Sequence, residues 1–231
     1  MKILCIGDSL GLPRSGCNYE ETWLHLLRNR YPQHIVIDHC EGGRLIDNAL
    51  SAYNGYYKFY GADIIILQLG ICDCAPRYVN EKKAINRMIK KAFVSLGLTE
   101  LYWRIVKSHV RRPNCVDTQP EVFKNMYGKL IDNILTEGGY IIIVKIGHGA
   151  QSVTNSSPYF NTNVDRYNSI IDKLVEAKEK VFSVDPLNLV TEEIFVDGYH
   201  CNAKGMTKVY ELLCPLIEKI EAIYEKSIKL T

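Results

Sequence analysis

Two stretches of the chain are apolar at every position: Ile64-Ile65-Ile66-Leu67 and Tyr140-Ile141-Ile142-Ile143-Val144. A strand with one wet face alternates apolar and polar residues, so an unbroken run must be covered on both faces. Sheets covered on both faces are parallel, joined by helical crossovers. The two runs extend to 63–69 and 140–146, and three further β-branched segments lie at 3–6, 35–37 and 181–184. Helical patterns fill gaps between them at 20–31, 121–137, 164–178 and 203–227, and Gly138-Gly139 closes one of these just before a strand. The expected architecture is an α/β three-layer sandwich: a five-stranded parallel sheet with helices on both faces. In such sheets ligands bind beyond the carboxyl ends of the strands.

At 231 residues the chain suits a single domain over 1–231. Its composition, 47% hydrophobic and 23% charged, is that of an ordinary globular protein, and a net charge of +2 selects no partner. Met1-Lys2 leads straight into strand residues, so no signal peptide is expected and a cytoplasmic location is the default. No apolar run reaches the ~18–20 residues that span a bilayer. The eight cysteines are read as free thiols. Cys5 and Cys40 sit in or beside strands and Cys214 on the apolar face of the last helix. Cys72-Asp73-Cys74 has no second pair at zinc spacing, so no metal site is expected.

The segment 77–118 stands outside the alternating pattern. It reads as an insertion with two helices, near 81–96 and 99–109. Between residues 77 and 112, ten basic residues (Arg77, Lys82, Lys83, Arg87, Lys90, Lys91, Arg104, Lys107, Arg111, Arg112) face two acidic ones (Glu81, Glu100), a local charge of +8 that leaves −6 elsewhere. One reading is a solvated helical face. The other is a cap that draws in an anionic substrate or membrane surface. No nucleic-acid motif accompanies the charge, and no nucleic-acid partner is expected.

Two short motifs carry chemistry. The first strand runs into Gly7-Asp8-Ser9-Leu10, and roughly 190 residues later comes Asp197-Gly198-Tyr199-His200, followed by Asn202-Ala203-Lys204-Gly205 and the last helix. A strand-end serine with an Asp-x-x-His supplies a nucleophile, a base and an orienting carboxylate. The combination resembles the GDSL family, also called SGNH hydrolases, across nearly the whole chain. The resemblance implies a flavodoxin-like SGNH hydrolase fold, with Ser9 as nucleophile, His200 as base and Asp197 as its orienter. It also implies an oxyanion hole built from the backbone N–H of Ser9 and of a glycine after the second strand. Gly43 fits that place best, with Gly42 as fallback.

The family's third block, Gly-x-Asn-Asp, stands here as Gly70-Ile71-Cys72-Asp73. The asparagine amide that would be the third oxyanion donor is missing, and a thiol is a weak donor. Arg77, just past Pro76, is the expected replacement. Asp8, Asp73 and Tyr199, beside the motif residues, are expected to touch substrate. Asn163 to Asn168 resembles a helix-start segment common in the family and is read as scaffold at the pocket edge. His148, after the fourth strand, is read as a loop histidine.

The expected function is that of a serine esterase removing a small acyl group, an acetyl above all, from a carbohydrate or similar ester, with no cofactor. Two alternatives stay open: an acyltransferase of the same fold, and a catalytically impaired carbohydrate-binding or assembly protein. A nucleotide-binding doubly wound domain is disfavoured, because no Gly-x-Gly-x-x-Gly follows the first strand.

Overall fold

The computed structural model describes residues 1–76, 84–102, 115–186 and 192–228. Five parallel strands, β1 (Lys2–Gly7), β2 (Ile35–Cys40), β3 (Ile64–Gln68), β4 (Tyr140–Val144) and β5 (Val181–Val184), form one sheet in the order β2-β1-β3-β4-β5. The unbroken apolar runs explain themselves in the packing. Ile64 and Ile66 point into one core with Ile142 and Val144, while Ile65 and Leu67 point into the other with Ile141 and Ile143. Each strand thus feeds two hydrophobic layers at once.

Helices α1 (Trp23–Arg30) and α8 (Ala203–Ile228) cover one face, where Trp23, Leu24 and Leu27 meet Met206, Val209 and Leu213. On the other face lie α2 (Ile46–Gly55), α5 (Pro120–Thr136) and α7 (Phe160–Glu176), packed through Ala49, Tyr53, Phe123, Leu130, Ile131 and Val164. Short α3 (Ile71–Cys74) and α6 (Gln151–Ser156) follow β3 and β4 at their carboxyl ends. Helix α4 (Ala84–Ser95) and a helical turn at 99–102 lie in the insertion, inside the two expected helical stretches.

Some expected boundaries move for local reasons. The first helix begins at Trp23 rather than residue 20, because Thr22 Oγ1 accepts from His25 N (3.3 Å) and Tyr19–Glu21 forms a separate 3₁₀ turn. Strand β2 runs on to Cys40 beside β1, and α7 starts four residues early, at Phe160. Helix α2 carries no sequence signal at its start: its N-cap is Leu45, which offers no capping side chain. The cap comes from elsewhere, as both carboxylate oxygens of Asp73 accept from Ile46 N at 3.2 Å. A cap donated from 27 residues away leaves no local signature. All eight cysteines are free thiols, as expected.

Candidate active site

At the end of β1 the chain leaves the sheet through a fixed turn. Asp8 N–H donates to Gln68 O (3.0 Å), and the Asp8 carboxylate accepts from Leu10 N (2.9 Å), capping the 3₁₀ turn Ser9–Gly11. The turn presents the Ser9 side chain beyond the strand ends. The Arg14 guanidinium donates to Ser9 O and fixes the turn from its outer side.

Residues 195–201 form the opposing loop. An antiparallel bridge joins Phe195 to Cys201, and Val196 N–H donates to His200 O (2.8 Å). Ala150 N–H donates to Gly198 O (2.7 Å), which ties the loop to the start of α6. Asn202 anchors the loop's exit: its amide donates to Glu193 O (2.6 Å) and its side-chain oxygen accepts from Gly205 N (3.2 Å). Position 205 must be glycine, since a Cβ there would sit 2.6 Å from Ile194 O. The segment Asn202-Ala203-Lys204-Gly205 is therefore the clamp that holds His200 in place.

These two loops bring three side chains into one chain of hydrogen bonds. His200 Nε2 lies 3.0 Å from Ser9 Oγ, and His200 Nδ1 lies 2.7 Å from Asp197 Oδ2. A carboxylate can only accept, so Nδ1 carries the proton and Nε2 offers its lone pair to the serine hydroxyl. The second oxygen of Asp197 accepts from His200 N (3.0 Å), so the acid grips both the ring and its backbone. Burial pushes the His200 pKa below the ordinary histidine value, helped by the Arg14 charge and opposed by Asp197. The imidazole is therefore neutral at pH 7. Burial would raise the Asp197 pKa, but the hydrogen bonds from His200 outweigh it and hold the carboxyl below its usual range.

Ser9 and Asp197 border a cavity of about 490 Å³, with His200 bonded between them. Ser9, Asp197 and Tyr199 line it together with Gly43, Ile71, Cys72, Ala75 and Pro76. The far wall is α6 and the head of α7, with Ser152, Val153, Ser156, Ser157 and Phe160. Gly43 adopts φ +77°, a conformation suited to glycine, and a turn there exposes backbone towards the same cavity as Ser9. Tyr199 stacks obliquely on His200, with ring centroids 4.2 Å apart.

Two expected substrate contacts are not contacts. Asp8 and Asp73 are completely buried and cannot reach a ligand. Asp8 caps the Ser9 turn, while Asp73 caps α2 and accepts from Thr118 Oγ1 (2.5 Å). Tyr199 does line the cavity. Arg77, the expected third donor, lies outside the described residues. Cys72 occupies the third-block position and lines the cavity. Among the described lining residues there is no side-chain amide or guanidinium.

Asn163 and Asn168 hold the site's underside: Asn163 donates to Cys74 O (3.0 Å), and Asn168 brackets Ile146 with bonds to its N–H (3.0 Å) and carbonyl (2.8 Å). They sit inside α7 rather than at its start. His148 pairs with Asp165 at 2.5 Å on the surface, away from the cavity lining. Arg14 is the site residue that sequence reasoning missed, because only the folded turn brings it back over Ser9. No cluster of three or more His, Cys, Asp or Glu side chains among the described residues could hold a metal ion.

No family model and no curated protein sequence matches this chain. Solved structures do. The fold is that of the GDSL-type, or SGNH, ester hydrolases. A putative lipolytic protein of the G-D-S-L family from Desulfitobacterium hafniense superposes with a TM-score of 0.61 at 13% identity, over 92% of this chain and 97% of that one. The lipase/acylhydrolase from Enterococcus faecalis gives 0.66 at 13% identity over 94% and 95%. An acetyl xylan esterase gives 0.65 at 15% identity over 94% and 100%. Each likeness spans nearly the whole of both chains.

Proposed function

We propose that the protein is a serine ester hydrolase of the SGNH type that removes a small acyl group from a polyhydroxylated acceptor. The observation that carries this reading is the Ser9–His200–Asp197 chain, at 3.0 and 2.7 Å, opening on a cavity. Ser9 Oγ attacks the ester carbonyl as His200 Nε2 takes its proton, and Asp197 stabilises the imidazolium that results. Backbone N–H groups of Ser9 and Gly43 face the developing oxyanion. His200 then returns the proton to the leaving alcohol. Water, activated by the same nitrogen, releases the acyl group and regenerates Ser9.

The cavity supports a small acyl group on a sugar. Ile71, Val153 and Phe160 give the acyl group an apolar seat, and the serines of α6 offer hydroxyls to a polar acceptor. Among the structural neighbours, the acetyl xylan esterase is consistent with such a substrate. A fluorophosphonate probe tests the reading directly. Intact mass should show one adduct on the native protein and none on Ser9→Ala, with p-nitrophenyl acetate turnover lost in the same variant. Labelling of Ser9→Ala equal to the native protein, or retained turnover, would remove Ser9 as nucleophile.

A further inference from the structure

Helix α4 presents its apolar side outward. Ile85, Met88, Ile89 and Ala92 recur at helical spacing, and Leu96 continues the row one turn beyond. All five are exposed, Ile85 at 65%, Met88 at 69% and Leu96 at 70% of their full surface. Leu98 and Leu101 add exposed apolar surface immediately after. Asn86, Lys90 and Phe93 are half-buried along the other side of the helix, with Phe93 against the buried Tyr102 ring at 5.6 Å. Among the described elements outside the insertion, none makes an extended contact along α4. Elsewhere among the described residues, large exposed apolar side chains are scattered apart from a short group at Tyr56, Phe59 and Tyr60; a stripe running the length of a helix calls for an explanation.

The stripe sits within a strongly basic segment. Lys90 and Lys91 fall on the side of α4 away from the stripe, and the sequence around them carries a net +8 between residues 77 and 112. An apolar face opposite a lysine-bearing face is the pattern of a helix lying in a lipid interface. A second copy of this chain is a poor occupant, since pairing two stripes would bring two +8 segments together. A soluble anionic glycan would use the lysines and leave the apolar stripe in water. Both features are satisfied together by an anionic phospholipid surface.

We propose that α4 docks the protein on anionic membranes, with Ile85, Met88, Ile89 and Leu96 entering the headgroup boundary and the lysines meeting the lipid charges. The insertion follows Pro76 on the cavity rim and ends at Thr118, which is bonded to Asp73 beneath the site, so both of its ends adjoin the cavity. The inference rests on α4 and the charge of the segment around it, and does not depend on Ser9 turning over an ester.

Vesicle flotation of the full chain tests it, using phosphatidylcholine vesicles with and without about a third phosphatidylglycerol. Partitioning onto the anionic vesicles should exceed that onto neutral ones by at least about tenfold and weaken as salt rises. Ile85→Glu with Met88→Glu should abolish it. Lys90→Gln and Lys91→Gln should each cost up to about fivefold. Ile85, Met88 and Lys91 are exposed and Lys90 is half-buried, and an unchanged melting temperature shows the variants fold. Failure to float, or equal flotation of the stripe variant, overturns the proposal. So does a native dimer that the stripe variant converts to monomer without any vesicle binding. Binding of soluble dextran sulfate unaffected by the stripe variant, with no flotation, would assign the segment to a glycan instead.

Discussion

The replacement of an amide donor by a thiol at position 72 makes a gain-of-function test possible. Cys72 is the second residue of α3 and lines the cavity alongside Ser9 and Gly43. The chain just after it is held: the Asp73 carboxylate is tied to Ile46 and Thr118, and Cys74 O accepts from Asn163. A substitution at 72 should therefore change the side chain without moving the helix. Asparagine adds two heavy atoms to the cysteine outline, which a cavity of about 490 Å³ accommodates.

One oxyanion donor is worth roughly 10²–10³ in turnover, or about 2.7–4 kcal/mol, when it is removed from an enzyme built around it. Installed in a site that has not adapted to it, the amide should recover part of that. Cys72→Asn is expected to raise kcat on p-nitrophenyl acetate by at least about tenfold, or ~1.4 kcal/mol of barrier. KM should change little, because the donor acts on charge that develops only in the transition state. Acylation and deacylation pass through the same kind of oxyanion, so the burst and the steady state should both accelerate. Cys72→Ala is the control and should stay within about twofold of the native rate, since a thiol donates weakly. A folded Cys72→Asn protein no faster than Cys72→Ala would refute the reasoning. If Arg77→Ala then slowed the native enzyme by about tenfold or more, the donor would be the guanidinium, as the sequence suggests.

Because His200 works only when neutral and burial lowers its pKa, kcat/KM should be flat from pH 7 to 8 and fall on the acid side with a midpoint below ~6.5. Asp197→Asn should cut kcat by up to about 10⁴ through the wrong imidazole tautomer; an unaffected rate would remove the carboxylate from the mechanism. Arg14→Met takes away a positive charge that lowers the His200 pKa, so its acid limb should move to higher pH, and an unmoved limb would limit Arg14 to bracing the Ser9 turn. Burial first, then the nearby Asp73, push the Asp8 carboxyl up to about 7 against the Leu10 N–H that favours its charge. The unfolded chain gives up that proton near pH 4, so Asp8 costs stability increasingly from about pH 4 to about pH 7, by a few kcal/mol, and no more above. Asp8→Asn should thus gain more in melting temperature at pH 8 than at pH 4, and a pH-independent difference would show that Asp8 is charged in the fold.

What the sequence made legible follows from where the determining interactions lie. Ile64 to Leu67 and Ile141 to Val144 declare a doubly covered strand, because two-sided burial is written in consecutive residues. The meeting of Ser9 and His200 across 191 residues was readable because a strand-end serine and an Asp-x-x-His each carry their own chemical signature. Helix α2 was not readable, since its cap is an aspartate in another loop. Arg14 was not readable either, as five residues of sequence separation say nothing about a turn that folds the guanidinium back onto Ser9 O.

The buried acids Asp8 and Asp73 show why motif residues are easily given the wrong task. From the sequence, a carboxylate beside a nucleophile invites a role in binding. In the fold, each carboxylate is spent on backbone N–H groups at the start of a helical turn. Asp8 fixes the turn that carries Ser9, and Asp73 fixes the start of α2, three residues after Gly43. The two backbone donors assigned to the oxyanion hole thus belong to two loops, and each loop is held by its own buried carboxylate. Asp73 also receives Thr118, where the basic insertion rejoins the body.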